Sequence, residues 1–170
     1  MARLFFALWP DGPASARLAR LATEVAAAAG GKPVPAEKIH VTLAFLGEVA
    51  ASRVEEARTA ARAVRFGGFA VTLDCVGSFG KARVAWAGSL SPPGPALAAL
   101  QADLAARLSA SGFALEERPF ALHATLARRI GRDVPRAAVD PVAWSVDAFS
   151  LVRSETGTGR YAVVEAFGAG

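Results

Sequence analysis

Two histidines are present in the whole chain, and each opens the same four-residue pattern: His40-Val41-Thr42-Leu43 and His123-Ala124-Thr125-Leu126. An imidazole titrates at roughly pH 6.5, so it gives or takes a proton near neutrality. A reaction that needs one general acid and one general base needs two such groups. A threonine two residues on adds a hydroxyl that can hydrogen-bond an anionic oxygen. Both patterns lie in short apolar, β-branched runs of strand composition. Residues i and i+2 share one face of a strand, so each His points the same way as its Thr. A pair of half-buried structural histidines capped by hydroxyls would explain one such pattern. It does not explain the repeat.

The elements upstream are duplicated too. A strand-like run Arg3–Trp9 precedes a helix that starts near Pro13, carries Leu18, Leu21, Ala22 and Val25 on one face, and stops at Gly30-Gly31. A second run, Arg83–Gly88, precedes a helix that opens at Pro93 to Pro95, carries Leu97, Leu100, Leu104 and Leu108, and ends before Gly112. Strand, helix and His-x-Thr strand thus occur twice at nearly equal spacing. Two copies of one unit can face each other about a pseudo-twofold axis, with the two patterns on opposite walls of a cleft. Between them, Ser52-Arg53-Val54-Glu55 has the form of a capping box for a helix with Val54, Ala57, Ala61 and Val64 at helical spacing, closed by Gly67-Gly68. Phe69–Val76 reads as a strand, residues 77–81 as a hairpin turn, and Val142–Val152 and Gly159–Phe167 as two closing strands joined by the polar loop 154–159.

Composition narrows the function classes. At 170 residues and 53% hydrophobic content the chain reads as one domain, 1–170, with a sizeable core. A net charge of +4 suits a polyanionic ligand. Two histidines without clustered carboxylates or thiolates make a poor metal shell, so no metal and no cofactor is expected. No P-loop or glycine-rich nucleotide loop precedes a helix. The single cysteine, Cys75, allows no intrachain disulfide and reads as a buried thiol of a reducing compartment, and the apolar start Leu4–Trp9 is too short to span a membrane. The expected protein is a cytoplasmic monomer with no membrane association and no obligatory protein partner.

The duplicated patterns, the opening Arg3-Leu4-Phe5-Phe6-Ala7-Leu8, the run His40–Gly47 and the later Leu126-Ala127-Arg128 resemble the 2H phosphoesterases, most closely the RNA 2′,3′-cyclic phosphodiesterases also described as 2′-5′ RNA ligases. One departure is Leu122, where that family usually has proline before the second histidine. The resemblance implies an α+β fold of two pseudo-symmetric lobes, each an antiparallel sheet flanked by helices, with the active site between them. It implies metal-independent opening of a terminal 2′,3′-cyclic phosphate on RNA to a 2′-phosphate, with possible reversal as 2′-5′ ligation. By pattern position His40 is the proton donor and His123 the acceptor, while Thr42 and Thr125 hold the phosphate oxygens. Arg128 matches the family's phosphate-pocket arginine, although its odd offset from His123 requires a bend, bulge or strand end. Arg129 and Arg132 read as surface charge or RNA-backbone contacts. Phe45, Phe79 and Trp86 are candidates to stack on the terminal base, Phe45 with the wrong parity for a straight strand. The alternatives are a relative acting on ADP-ribose cyclic phosphate or 2′-5′ oligonucleotides, or a non-catalytic module that binds RNA ends.

Overall fold

The computed structural model describes residues 1–170. Nine strands and three helices follow the chain: β1 (Ala2–Leu8), α1 (Gly12–Ala29), β2 (Lys32–Pro33), β3 (Val41–Val49), α2 (Val54–Arg62), β4 (Phe69–Phe79), β5 (Val84–Gly88), α3 (Pro95–Ala110), β6 (His123–Arg128), β7 (Ala137–Val146), β8 (Ala148–Ser154) and β9 (Tyr161–Gly168). The strands form one sheet in the order β7-β4-β5-β6-β3-β1-β8-β9, with β2 added beside β6. Every pairing is antiparallel. The order is nearly symmetric about its centre. There β3 and β6 are joined by a single residue pair, Val41↔Ala124.

Local chemistry explains the long helices. Asp11 caps α1 by accepting from the Ala14 N–H at 2.9 Å, Pro13 sits in its first turn, and Gly30 ends it at φ 74°. Its buried stripe is Ala14, Leu18, Ala22, Val25, Ala26 and Ala29. In α3 the four predicted leucines, Leu97, Leu100, Leu104 and Leu108, are all buried. The helices cross over: α1 follows β1 but packs on β6 and β7, and α3 follows β5 but packs on β3 and β4 and against α2. A single core of 38 buried residues fills the space between the helices and one face of the sheet. Strand β1 sends Leu4, Phe6 and Leu8 into it, while Phe5 and Ala7 join Val152 in a small cluster on the opposite face.

Three expectations are corrected. The capping box at Ser52 does not form: a short 3₁₀ turn covers Ala51–Arg53, and α2 starts without a side-chain cap. Arg53 instead clamps Glu56 and reaches the Ser111 carbonyl. The β4–β5 turn lies at 80–83 rather than 77–81, because Gly77, Ser78 and Phe79 stay paired with Trp86, Ala85 and Val84. The run Val142–Val152 is two strands, split at Asp147, since β7 pairs with β4 at one sheet edge and β8 with β1 in the other half.

Candidate active site

The central pair Val41↔Ala124 organises the site. Both residues are buried on the core face. Their neighbours His40, Thr42, His123 and Thr125 therefore emerge on the opposite face, two from each strand, and the antiparallel register sets His40 toward Thr125 and Thr42 toward His123. Beyond that pair β3 and β6 part company, β6 taking β2 as its neighbour at Lys32↔Arg128. The resulting cleft has a volume of about 600 Å³, and all four residues line it.

Each ring is held by its own strand. His40 Nδ1 lies 2.7 Å from the Lys38 carbonyl and His123 Nδ1 lies 2.8 Å from the Ala121 carbonyl. A carbonyl can only accept, so both Nδ1 atoms carry the proton and both Nε2 atoms are left for chemistry. In both halves the acceptor is the backbone carbonyl two positions upstream of the histidine. Leu122, in place of the family's proline, leaves that arrangement intact. The halves differ beyond this point. Thr42 Oγ1 lies 3.0 Å from His40 Nε2, and His40 is enclosed by Phe5 (stacked, centroids 4.9 Å apart), Trp9 and Tyr161. His123 meets only the edge of Phe79, at 5.6 Å. Burial pushes the His40 pKa below its ordinary value, against the opposing pull of the Lys38 carbonyl, and the nearby charges of Arg128 and His123 lower it further.

A bulge resolves the parity of Arg128. Opposite β5 the register shifts between Ala85 and Trp86, which leaves Leu126 as the extra residue of β6. Arg128 is thereby returned to the face of Thr125 and lines the cleft. The first pattern does the same. The β1–β3 register shifts between Phe6 and Ala7, Leu43 is the extra residue, and Phe45 joins Thr42 on the cleft face. Phe45 and Arg128 are thus counterparts, five residues after each histidine. Parity on a straight strand argued against both.

Arg129 also lines the cleft, in the left-handed region at φ 56°, a conformation costing about 1–3 kcal/mol for a side chain of this kind. Arg83 holds the turn. Its Nε donates to the Ile130 carbonyl at 2.9 Å, and its own carbonyl accepts from the Ile130 N–H at 3.2 Å. Gly31 lies against the same backbone, where a Cβ would come within 2.7 Å of the Arg128 carbonyl oxygen. Arg132 lies at the surface, where its guanidinium donates to the Ala28 carbonyl at the end of α1. Arg3, Lys32 and Lys38 complete a lining of five cations with no carboxylate. The sequence carried no local signal for these three, since they come from β1, β2 and the loop before β3. Phe79 and Trp86 lie outside this cleft, in a neighbouring cavity that shares His123. No group of three or more His, Cys, Asp or Glu side chains is placed to hold a metal ion, and no helix is long and apolar enough to cross a membrane.

Two imidazoles, each with its proton on Nδ1, thus face one cleft lined by five cations and no carboxylate. Residues 8–86 and 90–162 match the LigT like Phosphoesterase family, and the chain belongs to that family. It is 37% identical over 166 residues to the RNA 2′,3′-cyclic phosphodiesterase of Escherichia coli K12, covering 93% of this chain and 90% of that one. The apo crystal structure of E. coli LigT superposes with a TM-score of 0.86 at 31% identity, over 99% of this chain and 97% of that one. The same protein complexed with 3′-AMP gives a TM-score of 0.82 at 32% identity, over 99% and 98%.

Proposed function

We propose that this protein is a metal-independent RNA 2′,3′-cyclic phosphodiesterase whose catalytic groups are His40, His123, Thr42 and Thr125, with Arg128 binding the phosphate. The observation that carries this reading is the matched pair of rings, each fixed through Nδ1 so that Nε2 is available in one cationic cleft. A module that only bound RNA ends would have no use for two such rings. The E. coli relative named above is an RNA 2′,3′-cyclic phosphodiesterase by name. The chain acts as one domain of two pseudo-symmetric lobes, as a cytoplasmic monomer, on RNA ends carrying the cyclic phosphate.

The chemistry follows from the geometry. With its proton on Nδ1, neutral His123 offers the Nε2 lone pair to an attacking water. Protonated His40 donates from Nε2 to the departing O3′, and the product keeps its 2′-phosphate. Thr42, Thr125 and Arg128 stabilise the non-bridging oxygens as charge develops on them. Incubation with a 2′,3′-cyclic mononucleotide and excess chelator gives a 2′-phosphate by phosphorus NMR. A 3′-phosphate reverses the roles of the histidines, and dependence on added metal overturns the mechanism.

The environment of His40 has a pH consequence. Its proton must be in place for donation, and burial together with Arg128 favours its loss in the free enzyme. The alkaline limb of kcat/KM therefore falls below the ordinary histidine value. A bound phosphate anion offsets the Arg128 charge and favours the protonated ring, so the alkaline limb of kcat lies at higher pH. The limbs belong to the coupled pair of histidines. Profiles of kcat and kcat/KM on a cyclic mononucleotide check the order, and coincident alkaline limbs would refute it.

A further inference from the structure

The two non-glycine residues of this chain with positive φ stand against each other: Arg83 at 54° and Arg129 at 56°. They are tied together. The Arg83 carbonyl accepts from the Ile130 N–H, and its guanidinium donates to the carbonyls of Ile130, at 2.9 Å, and Arg129, at 3.5 Å. On the other side Ile130 is buried in the core, and the Gly131 N–H donates to the Ala29 carbonyl at 2.8 Å. Backbone strain of this kind persists only where the surroundings hold it, and it clusters where a site needs an unusual direction of chain or side chain.

The direction gained here is specific. Side chains alternate along a strand, so the neighbour of a cleft-facing residue would point to the opposite face. Arg128 faces the cleft, yet Arg129 lines it too. Strand β6 ends at Arg128, and the left-handed residue that follows puts a second guanidinium on the same side. Lys32, opposite Arg128 on β2, adds a third cation to that wall. Arg83 is occupied by backbone carbonyls and does not line the cleft, so it braces the turn. Arg129 is exposed and no ion pair engages it. Its charge is free for a ligand.

That charge exceeds what the reacting group requires. A cyclic phosphodiester carries one negative charge, and Arg128 with the two threonines answers it. In an RNA end the nearest other anion is the phosphodiester on O5′ of the same ribose. A free cyclic mononucleotide lacks that group.

We infer that Arg129 is a specificity-determining residue whose guanidinium binds this 5′ phosphodiester, so that the cleft distinguishes the end of a chain from a free cyclic mononucleotide. The inference rests on the reading of the cleft as a cyclic-phosphate site with Arg128 on the reacting phosphate. A planar guanidinium presents two parallel donors to the two free oxygens of a diester. The 5′ diester takes no part in the reaction, so its contact is the same in the ground state and the transition state. It therefore lowers KM and leaves kcat alone.

Steady-state kinetics on three substrates test the assignment. They are 2′,3′-cyclic AMP, the dinucleotide ApA ending in a 2′,3′-cyclic phosphate, and the same dinucleotide with a neutral methylphosphonate linkage. For the wild-type enzyme KM is about 10-fold lower with the charged linkage than with the neutral one, the worth of one hydrogen bond between charged groups. Arg129→Gly and Arg129→Asn remove the guanidinium, and both residues suit a left-handed backbone, so the turn is retained. In each variant the two dinucleotides converge in KM, whereas Arg129→Lys keeps part of the gap. A wild-type enzyme that opens all three substrates without preferring the charged linkage overturns the subsite. So does a gap that survives in both guanidinium-free variants. A wild-type enzyme inactive on all three overturns the phosphodiesterase reading itself, and the subsite with it.

Discussion

His40→Ala and His123→Ala each lower turnover of a 2′,3′-cyclic nucleotide by about 10²- to 10⁴-fold, the contribution of one positioned acid or base. Neither ring can substitute for the other. They stand on different strands, each tied through Nδ1 to its own backbone carbonyl, so neither can swing to serve both sides of the phosphorus. The fold survives because both side chains lie on the cleft face, away from the main core. His40→Ala also strips the partner from the stacked Phe5, which makes circular dichroism and a melting curve necessary controls. The double variant falls little further than the worse single one, since a proton-transfer pair acts as a unit. Near-normal turnover in either folded single variant refutes the two-imidazole mechanism. Thr42→Ala and Thr125→Ala leave both rings in place, and each costs about 10- to 10³-fold as one transition-state hydrogen bond is removed.

Arg128→Ala lowers kcat/KM by about 10²- to 10³-fold, with kcat carrying most of the loss if the guanidinium meets charge that develops only in the transition state. Arg128 is exposed and no ion pair engages it, so its removal leaves stability nearly unchanged. Arg128→Lys recovers only part of the rate, because an ammonium cannot present two parallel donors to a phosphate. The substitution has a second signature. Removing this cation relieves one of the causes that lower the His40 pKa, so the alkaline limb of kcat/KM moves up in Arg128→Ala. A variant with full activity and an unmoved limb excludes Arg128 from the pocket.

The helices and the His-x-Thr strands were legible because their signals are local. Leucines at α3 spacing, a proline in the first turn and a glycine after the last residue act within a few positions of one another. The side of the strand on which Phe45 and Arg128 emerge is not local. It depends on Leu43 and Leu126 being extra residues against β1 and β5, and a register between distant strands leaves no mark in either run. The Ser52 box failed for a related reason. Glu55, the acid of that box, is engaged by Arg58 and Arg62, which also hold Glu165 of the distant β9, and a 3₁₀ turn runs through Ser52. Gly77 looked like a turn residue, whereas Gly88 closed a strand-like run. Both lie within strands, and the indole of Trp86 resting on them accounts for their lack of a side chain.

The crossed helices bear on how the protein is made. The apolar stripe of α1 emerges from the ribosome among the first thirty residues, yet the strands it covers, β6 and β7, begin at His123 and Ala137. Through most of synthesis that helix lacks those two strands, although it can lean on the nearby segment 32–38. Folding therefore waits for nearly the whole chain and is dominated by contacts between distant segments, the condition under which folding is slow and partly made chains are prone to associate. The strand on which α1 is seated, β6, is also the one that pairs with β3, so the cleft and the core beneath α1 depend on the same late segment.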